Sequence, residues 1–310
     1  MADSRYFPRC QVVPLPEEQV SLQIDGIERV RWHYGLGAPR PFFYPFPGPS
    51  RESLTRMGHP GAPDHDHHRS IWFAHNKVVG VDFWSDRSPA RIRQTDWLVY
   101  QDGDEAAVMA VRLAWLDGHD PQPLLEQELV AALWPGERGE TFLELQSAFI
   151  PKAMSLEFGQ TNFGFLAVRV AKNLSAYFGG GQLTSGTGLV GEPAIFGKQA
   201  PWMDYSGPVR SGATEGITYF DHPSNPRYPT PWHVREDGWM GAAPCLGESL
   251  ETTRMQPLML RYLLHAHAGA LDAEAATRTA AHFAGLGPWV VEPAGVKHTR
   301  NRARRTQAAG

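Results

Sequence analysis

The densest group of residues that could do chemistry lies between residues 59 and 75. Five of the chain's thirteen histidines fall in this stretch, HPGAPDHDHHRSIWFAH. In extended backbone alternate side chains share a face, so His65 and His67 would project together, with Asp64 and His68 on the opposite face. So many histidines are unusual for a plain surface loop. We therefore predict a functional site with these four residues as candidate catalytic groups.

Two kinds of chemistry fit this stretch. A His-x-His pair supplies two ligands for a divalent transition metal, to be completed by another histidine or a carboxylate. Imidazoles and carboxylates packed closely also shift one another's pKa around neutrality, which suits general acid/base catalysis. The residues leave both interpretations open, with a polar surface loop as the third. The cofactor prediction is at most one divalent transition metal, held by His65 and His67.

The residues that follow the histidines could belong to the same site. Arg69, if buried, needs an anionic partner, so we expect it to orient an aspartate or to bind a substrate oxygen. His75 ends the apolar run IWFA, where a histidine is either a hydrogen-bonded core residue or a substrate-binding group. Trp72 and Trp84 belong to the core by default, although an indole beside a polar cleft also offers an apolar face to a sugar.

A second polar cluster lies in FDHPSNPRYPTPWHVR, residues 220–235, where four prolines fix the backbone. Rigid backbone lowers the entropy cost of holding polar groups in place, so this stretch is predicted to face the histidine loop across one cleft. The predicted catalytic partners are His222 and His233, and the predicted substrate-binding residues are Asp221, Arg227 and Trp232, joined by His75, Asn162, Lys198 and Asp204. A rigid connecting loop is the competing interpretation.

Composition excludes several other classes of protein. The formal net charge of −4 carries no basic surplus, so neither a nucleic acid nor a membrane surface is expected as a partner. Phosphate-loop and dinucleotide motifs are missing, which disfavours a nucleotide cofactor. The two cysteines stand far apart without a metal-binding or disulfide pattern, and no apolar run is long enough for a membrane span. We therefore expect a cytoplasmic protein, and small neutral or polar molecules stay open as substrates.

Alternating apolar residues predict the fold class. Three pairs of period-two runs surround Asp25-Gly26, Asp102-Gly103 and the turn at Pro135-Gly136, as in long β-hairpins. The run LDAEAATRTAAHFAG is the one convincing helix, with Asp272 as its N-cap. These features predict an all-β protein: one large antiparallel β-sandwich domain over residues 1–296, with a C-terminal helix, and a basic, flexible tail over residues 297–310.

Several segments together resemble a widespread bacterial family labelled PmoA-like, or methane oxygenase PmoA. The segments are RPFFYPFPGP, PDHDHHRSIWFAHNKVVGVDFW, FGQTNFGFLAVRVAKNLS, FGKQAPWMDYSG and FDHPSNPRYPTPWHVR. Family members more often read DHPHHRG and HGDVNGVDFW, so Asp66, Ser70 and Val79 depart from the pattern. A methane oxygenase of that name is built from membrane-spanning helices, which this sequence lacks, and we discard that activity. The pattern HHRSIWFAH…GVDFW within the second segment also looks faintly like galactose mutarotase-like proteins, and this likeness implies a supersandwich fold.

The resemblance implies carbohydrate catabolism, and the residues suggest the chemistry. We expect an enzyme that abstracts a proton from a sugar or a 3-keto-glycoside, leading to β-elimination or epimerisation, with or without a metal. His65 and His67 would be the metal ligands or the acid/base pair, with Asp64 and Arg69 orienting them. The alternatives are a metal-free aldose mutarotase, a non-catalytic carbohydrate-binding accessory protein and a soluble non-haem metal oxygenase.

Overall fold

A computed structural model describes residues 7–62 and 65–307, which form twenty strands and two α-helices. The first ten strands are β1 (Cys10–Leu15), β2 (Gln19–Ile24), β3 (Ile27–His33), β4 (Phe42–Phe43), β5 (Ile71–His75), β6 (Arg91–Gln101), β7 (Ala107–Leu116), β8 (Leu125–Pro135), β9 (Thr141–Pro151) and β10 (Ser155–Phe158). The others are β11 (Gly164–Arg169), β12 (Gln182–Ser185), β13 (Trp202–Pro208), β14 (Thr214–Asp221), β15 (Trp232–Arg235), β16 (Trp239–Ala242), β17 (Leu250–Thr253), β18 (Leu258–Ala268), β19 (Trp289–Val296) and β20 (Thr299–Arg305). The helices are α1 (Glu192–Ile195) and α2 (Ala273–Ala284).

Two eight-stranded sheets pack face to face. The first has the order β1-β2-β3-β4-β5-β11-β16-β15, and the second has the order β12-β13-β14-β18-β9-β8-β7-β6. Their facing sides enclose the main core, to which the first sheet contributes Val20 and Trp32 and the second contributes Trp115 and Leu143. The strand pairs are antiparallel, as in β11 with β16 and β8 with β9. The predicted all-β antiparallel sandwich is therefore confirmed.

The hairpins form where the turn residues predict them. β2 pairs with β3 around Asp25 and Gly26, whose positive φ angles of 53° and 73° suit a tight hairpin turn. β6 pairs with β7, and β8 pairs with β9, each in the antiparallel register that the alternation implies. The long strands of the second sheet therefore follow from local sequence.

Helix α2 covers part of the outer face of the second sheet. The Asp272 side chain accepts a hydrogen bond from the backbone N–H of Ala275 at 2.9 Å, which confirms the predicted N-cap. Ala276 and Phe283 are buried against Trp202 of that sheet. Neither helix of the described chain has the length and apolar character that a membrane crossing requires.

The C-terminal segment differs from the predicted flexible tail. Thr299–Arg305 forms strand β20, paired with β19 on the outer face of the second sheet. Ala303 is buried there, and the Arg305 guanidinium donates to the carboxylate of Glu144, which is fully buried. Of the arginines that suggest a solvated tail, Arg305 therefore pairs with an interior acid, whereas Arg302 and Arg304 pair with Glu292 on strand β19. Residues 308–310 lie outside the described part of the chain.

Candidate functional site

The candidate site lies on the outer face of the first sheet, and strand alternation decides which residues reach it. In β5, Ile71 and Phe73 point into the sandwich core, whereas Trp72 and Ala74 belong to a second apolar cluster on the outer face. Because successive side chains of a strand point to opposite faces, His75 shares the inward side of Ile71 and Phe73. The outer face of β5 therefore presents an indole beside a small residue.

One row of paired residues places His233 on the outer face of the first sheet. Trp72 pairs with Ala167, Ala167 with Gly241, and Gly241 with His233, so the row crosses β5, β11, β16 and β15. The two large side chains stand at its ends and the two small residues between them. A Cβ atom on Gly241 would lie 3.3 Å from Nε1 of Trp239, a tight contact. The absence of a side chain at Gly241 therefore makes room for the Trp239 indole.

A cavity of about 720 Å³ is lined by His233 of this row and by the histidine loop. The ring centroids of His67 and His68 lie 4.2 Å apart, and those of His65 and His68 lie 4.9 Å apart. His59 stands 5.3 Å from His65. The cavity is lined by His59, His65, His67, His68, Asn76, Asp82, Trp84, Ser85, Phe163, Arg169, Tyr177, Phe178, Glu192, His233, Arg235, Glu236, Asp237 and Trp239.

A buried ion pair supports one wall of this cavity. The Arg169 guanidinium donates to both carboxylate oxygens of Asp237, at 2.7 and 3.2 Å, and it lies over the Trp239 ring at 5.5 Å. His59 donates from Nε2 to the same carboxylate at 2.8 Å. Burial alone would raise the pKa of Asp237, but the charge of Arg169 and these hydrogen bonds outweigh burial, so that pKa lies below its ordinary value.

Unsatisfied polar atoms concentrate in this cavity. Among the described residues, twelve buried side-chain nitrogen or oxygen atoms have no hydrogen-bond partner, and six of them belong to residues that line the cavity. They are Nδ1 of His68, Oδ1 of Asn76, Nε1 of Trp84, Nε of Arg169, Nε2 of His233 and Nε1 of Trp239. Leaving such atoms unpaired costs free energy, so their concentration indicates a place where a polar ligand completes the hydrogen bonding.

His233 is held through one ring nitrogen, and the other has no partner among the described residues. Its Nδ1 lies 3.0 Å from the backbone carbonyl oxygen of Asn162. A carbonyl can only accept, so Nδ1 carries the proton and Nε2 carries a lone pair. That Nε2 is one of the unpaired atoms of the cavity, and the ring contacts Trp239 at 5.5 Å and Phe163 at 5.2 Å. The geometry is that of an oriented proton acceptor.

Both inner histidines are neutral near pH 7. Burial, assisted by the charges of Arg235 and Arg169, lowers the pKa of His233 to about 4, although the Asn162 carbonyl opposes the shift. Burial also lowers the pKa of His68 far below its ordinary value, and the nearby cations, led by Arg169, add to this effect. Neutral imidazoles accept protons rather than supply them, so these rings suit a base more than an acid.

The structure brings several predicted residues together. His65, His67, His68 and His233 line the cavity, as the two predicted clusters require, and Asn162 contributes through its carbonyl rather than its side chain. Asp64 lies outside the described residues.

Arg69 supports the histidine loop without lining the cavity. It pairs with Asp86 at 2.7 Å, and the same carboxylate accepts from the buried guanidinium of Arg40. Arg40 in turn donates to the carbonyl of His67 at 3.3 Å. Among the described residues, Arg69 therefore pairs with Asp86, an aspartate outside the histidine loop, rather than with an aspartate of the loop as predicted.

Two predicted substrate-binding residues are core residues instead. His75 is fully buried among Phe158 and Phe165, and burial lowers its pKa to about 3. Trp232 points into the sandwich, where its Nε1 donates to the carbonyl of Ala200 at 2.8 Å. Strand alternation explains both corrections, because their strand neighbours Trp72 and His233 take the outer face.

His222 does not meet the histidine loop. Its Nε2 accepts from Arg261 at 2.8 Å and its ring packs against Phe283 of helix α2, on the outer face of the second sheet. Asp221 accepts hydrogen bonds from Asn225 and from both the N–H and the hydroxyl of Thr230, so it fixes the following loop. The chain passes from one sheet to the other between residues 221 and 232, which separates these residues from His233.

Three other predicted substrate-binding residues also lie elsewhere. Arg227 clamps a neighbouring loop by donating to the carbonyls of Glu248 and Ser249. The Lys198 side chain is exposed, outside the cavity wall. Asp204 is buried in β13, where it accepts from His267 at 2.9 Å. Each is explained by local pairing or exposure rather than by the candidate site.

The histidines predicted to bind a metal do not belong to a complete ligand set among the described residues. Within residues 7–62 and 65–307, no three histidine, cysteine, aspartate or glutamate side chains are arranged to hold a metal ion. The rings of His65 and His67 lie 5.5 Å apart, nearly stacked. The described residues therefore do not fit a metal site on their own, and we assign no chemical step to a metal.

Sequence patterns missed three residues that shape the cavity: Arg169, Asp237 and Trp239. The signal for Asp237 and Trp239 was the segment WHVREDGWMGA, two short alternating runs around Asp237 and Gly238. Interpreted as a hairpin, it places His233, Arg235 and Trp239 on one face, which is the outer face of β15 and β16.

The buried neutral histidines predict an acid-sensitive fold. The pKa of His75 is about 3 and that of His222 about 4, both below the value of about 6.5 expected for an unfolded chain. Between those values the unfolded state binds more protons, so the free energy of unfolding falls as the pH falls from about 6.5 towards 4. Each such histidine contributes about 1.4 kcal/mol per pH unit in this window. Urea denaturation at pH 7 and pH 4.5 measures the loss.

The matched variants are His75→Leu, which should reduce the acid-induced loss, and His119→Asn, a change at an exposed histidine that should leave it as in the parent. Equal unfolding free energies at the two pH values in the parent protein would contradict the prediction.

Comparison with known proteins gives a family without an activity. The model of a family of unknown function, DUF6807, matches residues 19–281. This range includes both polar clusters and every residue that lines the cavity. No curated protein matches the chain. The comparison supports neither the PmoA-like label nor the mutarotase likeness.

Proposed function

The chain belongs to DUF6807, a family of unknown function, and we propose that it is a carbohydrate-active enzyme that abstracts a proton from a 3-keto-glycoside in the histidine cavity. The observation that carries the proposal is the set of unpaired polar atoms on buried aromatic residues. Trp84 and Trp239 each leave an indole N–H unsatisfied, and His68 and His233 each leave a ring nitrogen unsatisfied.

This combination suits a sugar more than other small molecules. A pyranose offers hydroxyl and carbonyl oxygens to the two indole N–H groups, and its C–H face packs on an aromatic ring. Two arginines line the cavity together with four carboxylates, and both arginines are already paired, Arg169 with Asp237 and Arg235 with Glu192. The excess of carboxylates favours a neutral sugar over an anionic one.

His233 is the proposed base. Oxidation of a sugar at C3 makes the C2 hydrogen acidic, since the electrons left behind delocalise into the carbonyl. Nε2 of His233 would take this proton, the C2–H electrons would form a C1=C2 double bond, and the C1–O glycosidic bond would break. Donors such as the indole N–H groups stabilise the negative charge that develops on the carbonyl oxygen.

The departing oxygen needs a proton to leave as an alcohol, and we assign its supply to the histidine loop through His67. The products are then an unsaturated keto sugar and the free alcohol. Epimerisation at C2 is the related outcome when the proton returns to the opposite face without loss of the alcohol. An aldose mutarotase also needs a protonated acid, and neither His68 nor His233 supplies it near pH 7, because burial lowers the pKa of both.

The proposal is tested with 4-nitrophenyl 3-keto-β-glucoside and its unoxidised parent glucoside, with product separated by chromatography. We expect 4-nitrophenol from the keto compound only, because the parent has no acidic C2 hydrogen. Sugar binding without product would instead identify an accessory binding protein. Metal analysis of the purified protein, with and without chelator treatment, tests metal assistance in the same assay.

The pH dependence of this reaction should report the lowered pKa of the base. Because burial lowers the pKa of His233 to about 4, the base stays unprotonated down to that pH. We expect kcat/KM to fall as the pH drops through about 4. For a histidine with an ordinary pKa it would fall through about 6.5. Circular dichroism at each pH identifies the range in which the protein is folded. An acid limb near 6.5 in folded protein would contradict the assignment.

A further inference from the structure

Exposed aromatic rings stand at the mouth of the histidine cavity. Tyr177 and Phe178 line the same cavity as the buried indoles, yet Tyr177 is 67% exposed. Their rings contact each other at 4.8 Å between centroids, and Phe178 meets the edge of His59 at 5.5 Å. The wall therefore passes from buried Trp84 and Trp239 to rings that face solvent.

The loop that carries these two rings is fixed by its own backbone. The N–H of Tyr177 donates to the carbonyl of Glu236 at 2.8 Å, and the N–H of Phe178 donates to the Ser175 hydroxyl at 3.1 Å. A Cβ atom on Gly181 would lie only 1.7 Å from a backbone oxygen, so the turn is tightly packed. The backbone that carries the rings is thus fixed before any ligand arrives, which lowers the entropy cost of binding.

The volume of the cavity is also larger than one sugar ring requires. Its volume of about 720 Å³ is within the range that encloses drug-sized ligands and exceeds the needs of a single hexose. Phe196, itself partly exposed, contacts the edge of the His233 ring at 5.4 Å, so aromatic surface continues beyond the proposed base. A ligand whose first ring packs against Trp84 and Trp239 would leave Tyr177 and Phe178 free to contact a second ring of the same ligand.

We propose that Tyr177 and Phe178 form a leaving-group subsite, and that the substrate is a glycoside whose leaving group presents a flat apolar face. An aryl ring and a second sugar both have such a face. The inference rests on the proposed function, since it assumes that the sugar to be cleaved lies against Trp84 and Trp239. It adds that a free monosaccharide or a methyl glycoside fills only the inner half of the cavity.

The experiment is calorimetric titration of the intact protein with three inert ligands: methyl β-glucoside, phenyl β-glucoside and cellobiose. We expect the phenyl compound or cellobiose to bind at least about tenfold more tightly than the methyl compound, consistent with an aromatic contact added to the buried area. Whichever of the two gains more identifies the leaving group. Phe178→Ala should remove most of this preference and leave the dissociation constant of the methyl compound within about twofold.

Tyr177→Ala serves as a second test, since an exposed side chain can be truncated without threatening the fold, and Met255→Ala, at an exposed methionine outside the cavity, is the matched control. Equal affinity for all three ligands in the parent protein, or a preference that survives both truncations, would overturn the subsite while the sugar site stands. Failure of methyl β-glucoside and both larger ligands to bind would overturn the sugar site, and the subsite with it.

Discussion

Replacing His233 with alanine is expected to lower kcat/KM on 4-nitrophenyl 3-keto-β-glucoside by about 10²–10⁴-fold, the usual contribution of a positioned general base. The ring is the one whose Nδ1–H is fixed by a backbone carbonyl, which leaves Nε2 with a lone pair and without a partner among the described residues. The loss should appear mainly in kcat, because the indole donors that bind the sugar remain in place.

The control for this variant is Lys198→Ala. Lys198 was a substrate-binding candidate from sequence, but its side chain is exposed outside the cavity, so its removal should leave kcat/KM within about twofold. The His67→Ala variant tests the proposed acid in the same assay. Full activity in folded His233→Ala would show that this imidazole is not the base.

Replacing Asp237 with alanine is expected to destabilise the protein by about 3–5 kcal/mol, the cost of leaving a buried charge without its partner. Arg169 is 1% exposed and donates to both oxygens of Asp237. Arg56 is a further cation near Arg169. Its guanidinium is partly buried, and burial, assisted by the charge of Arg169, lowers the pKa of Arg56 to about 9. No second carboxylate appears among the described contacts of Arg169 to take the place of Asp237.

The double variant Arg169→Met/Asp237→Ala distinguishes the ion pair from simple loss of packing. Removing both charges should cost clearly less than the sum of the two single changes, because no uncompensated charge is then left in the wall. Urea denaturation of the four proteins gives the coupling. Strictly additive losses would show that the pair does not stabilise the cavity wall as described.

The hairpins and the helix could be predicted because their signals are local. Asp25-Gly26 suits a turn with positive φ, and Asp272 caps the helix that follows it. The same local signals fail for the last strand, where the arginines of Thr299–Arg305 suggest solvation until Glu144 appears as an interior partner. Such a partner is distant in sequence and cannot be identified from the tail itself.

The site could be predicted only in part, for two reasons. Both faces of β5 are buried, so composition does not say whether Trp72 or His75 points to the outer face of the sheet, and only the neighbouring strands decide. His222 and His233 belong to one short proline-rich stretch, yet the chain changes sheets between them. Proximity in sequence therefore indicates a common cavity correctly for His233 and incorrectly for His222.

In the proposed reaction, His233 removes the proton at C2 of a 3-keto sugar bound in the cavity. Proton NMR of methyl 3-keto-β-glucoside in D₂O, with catalytic amounts of the protein, follows that step directly through the C2 hydrogen signal. We predict loss of this signal, by exchange or by elimination, much faster than in buffer alone, and a return to the buffer rate with His233→Ala. A C2 signal that persists at the buffer rate with the parent protein would contradict the account.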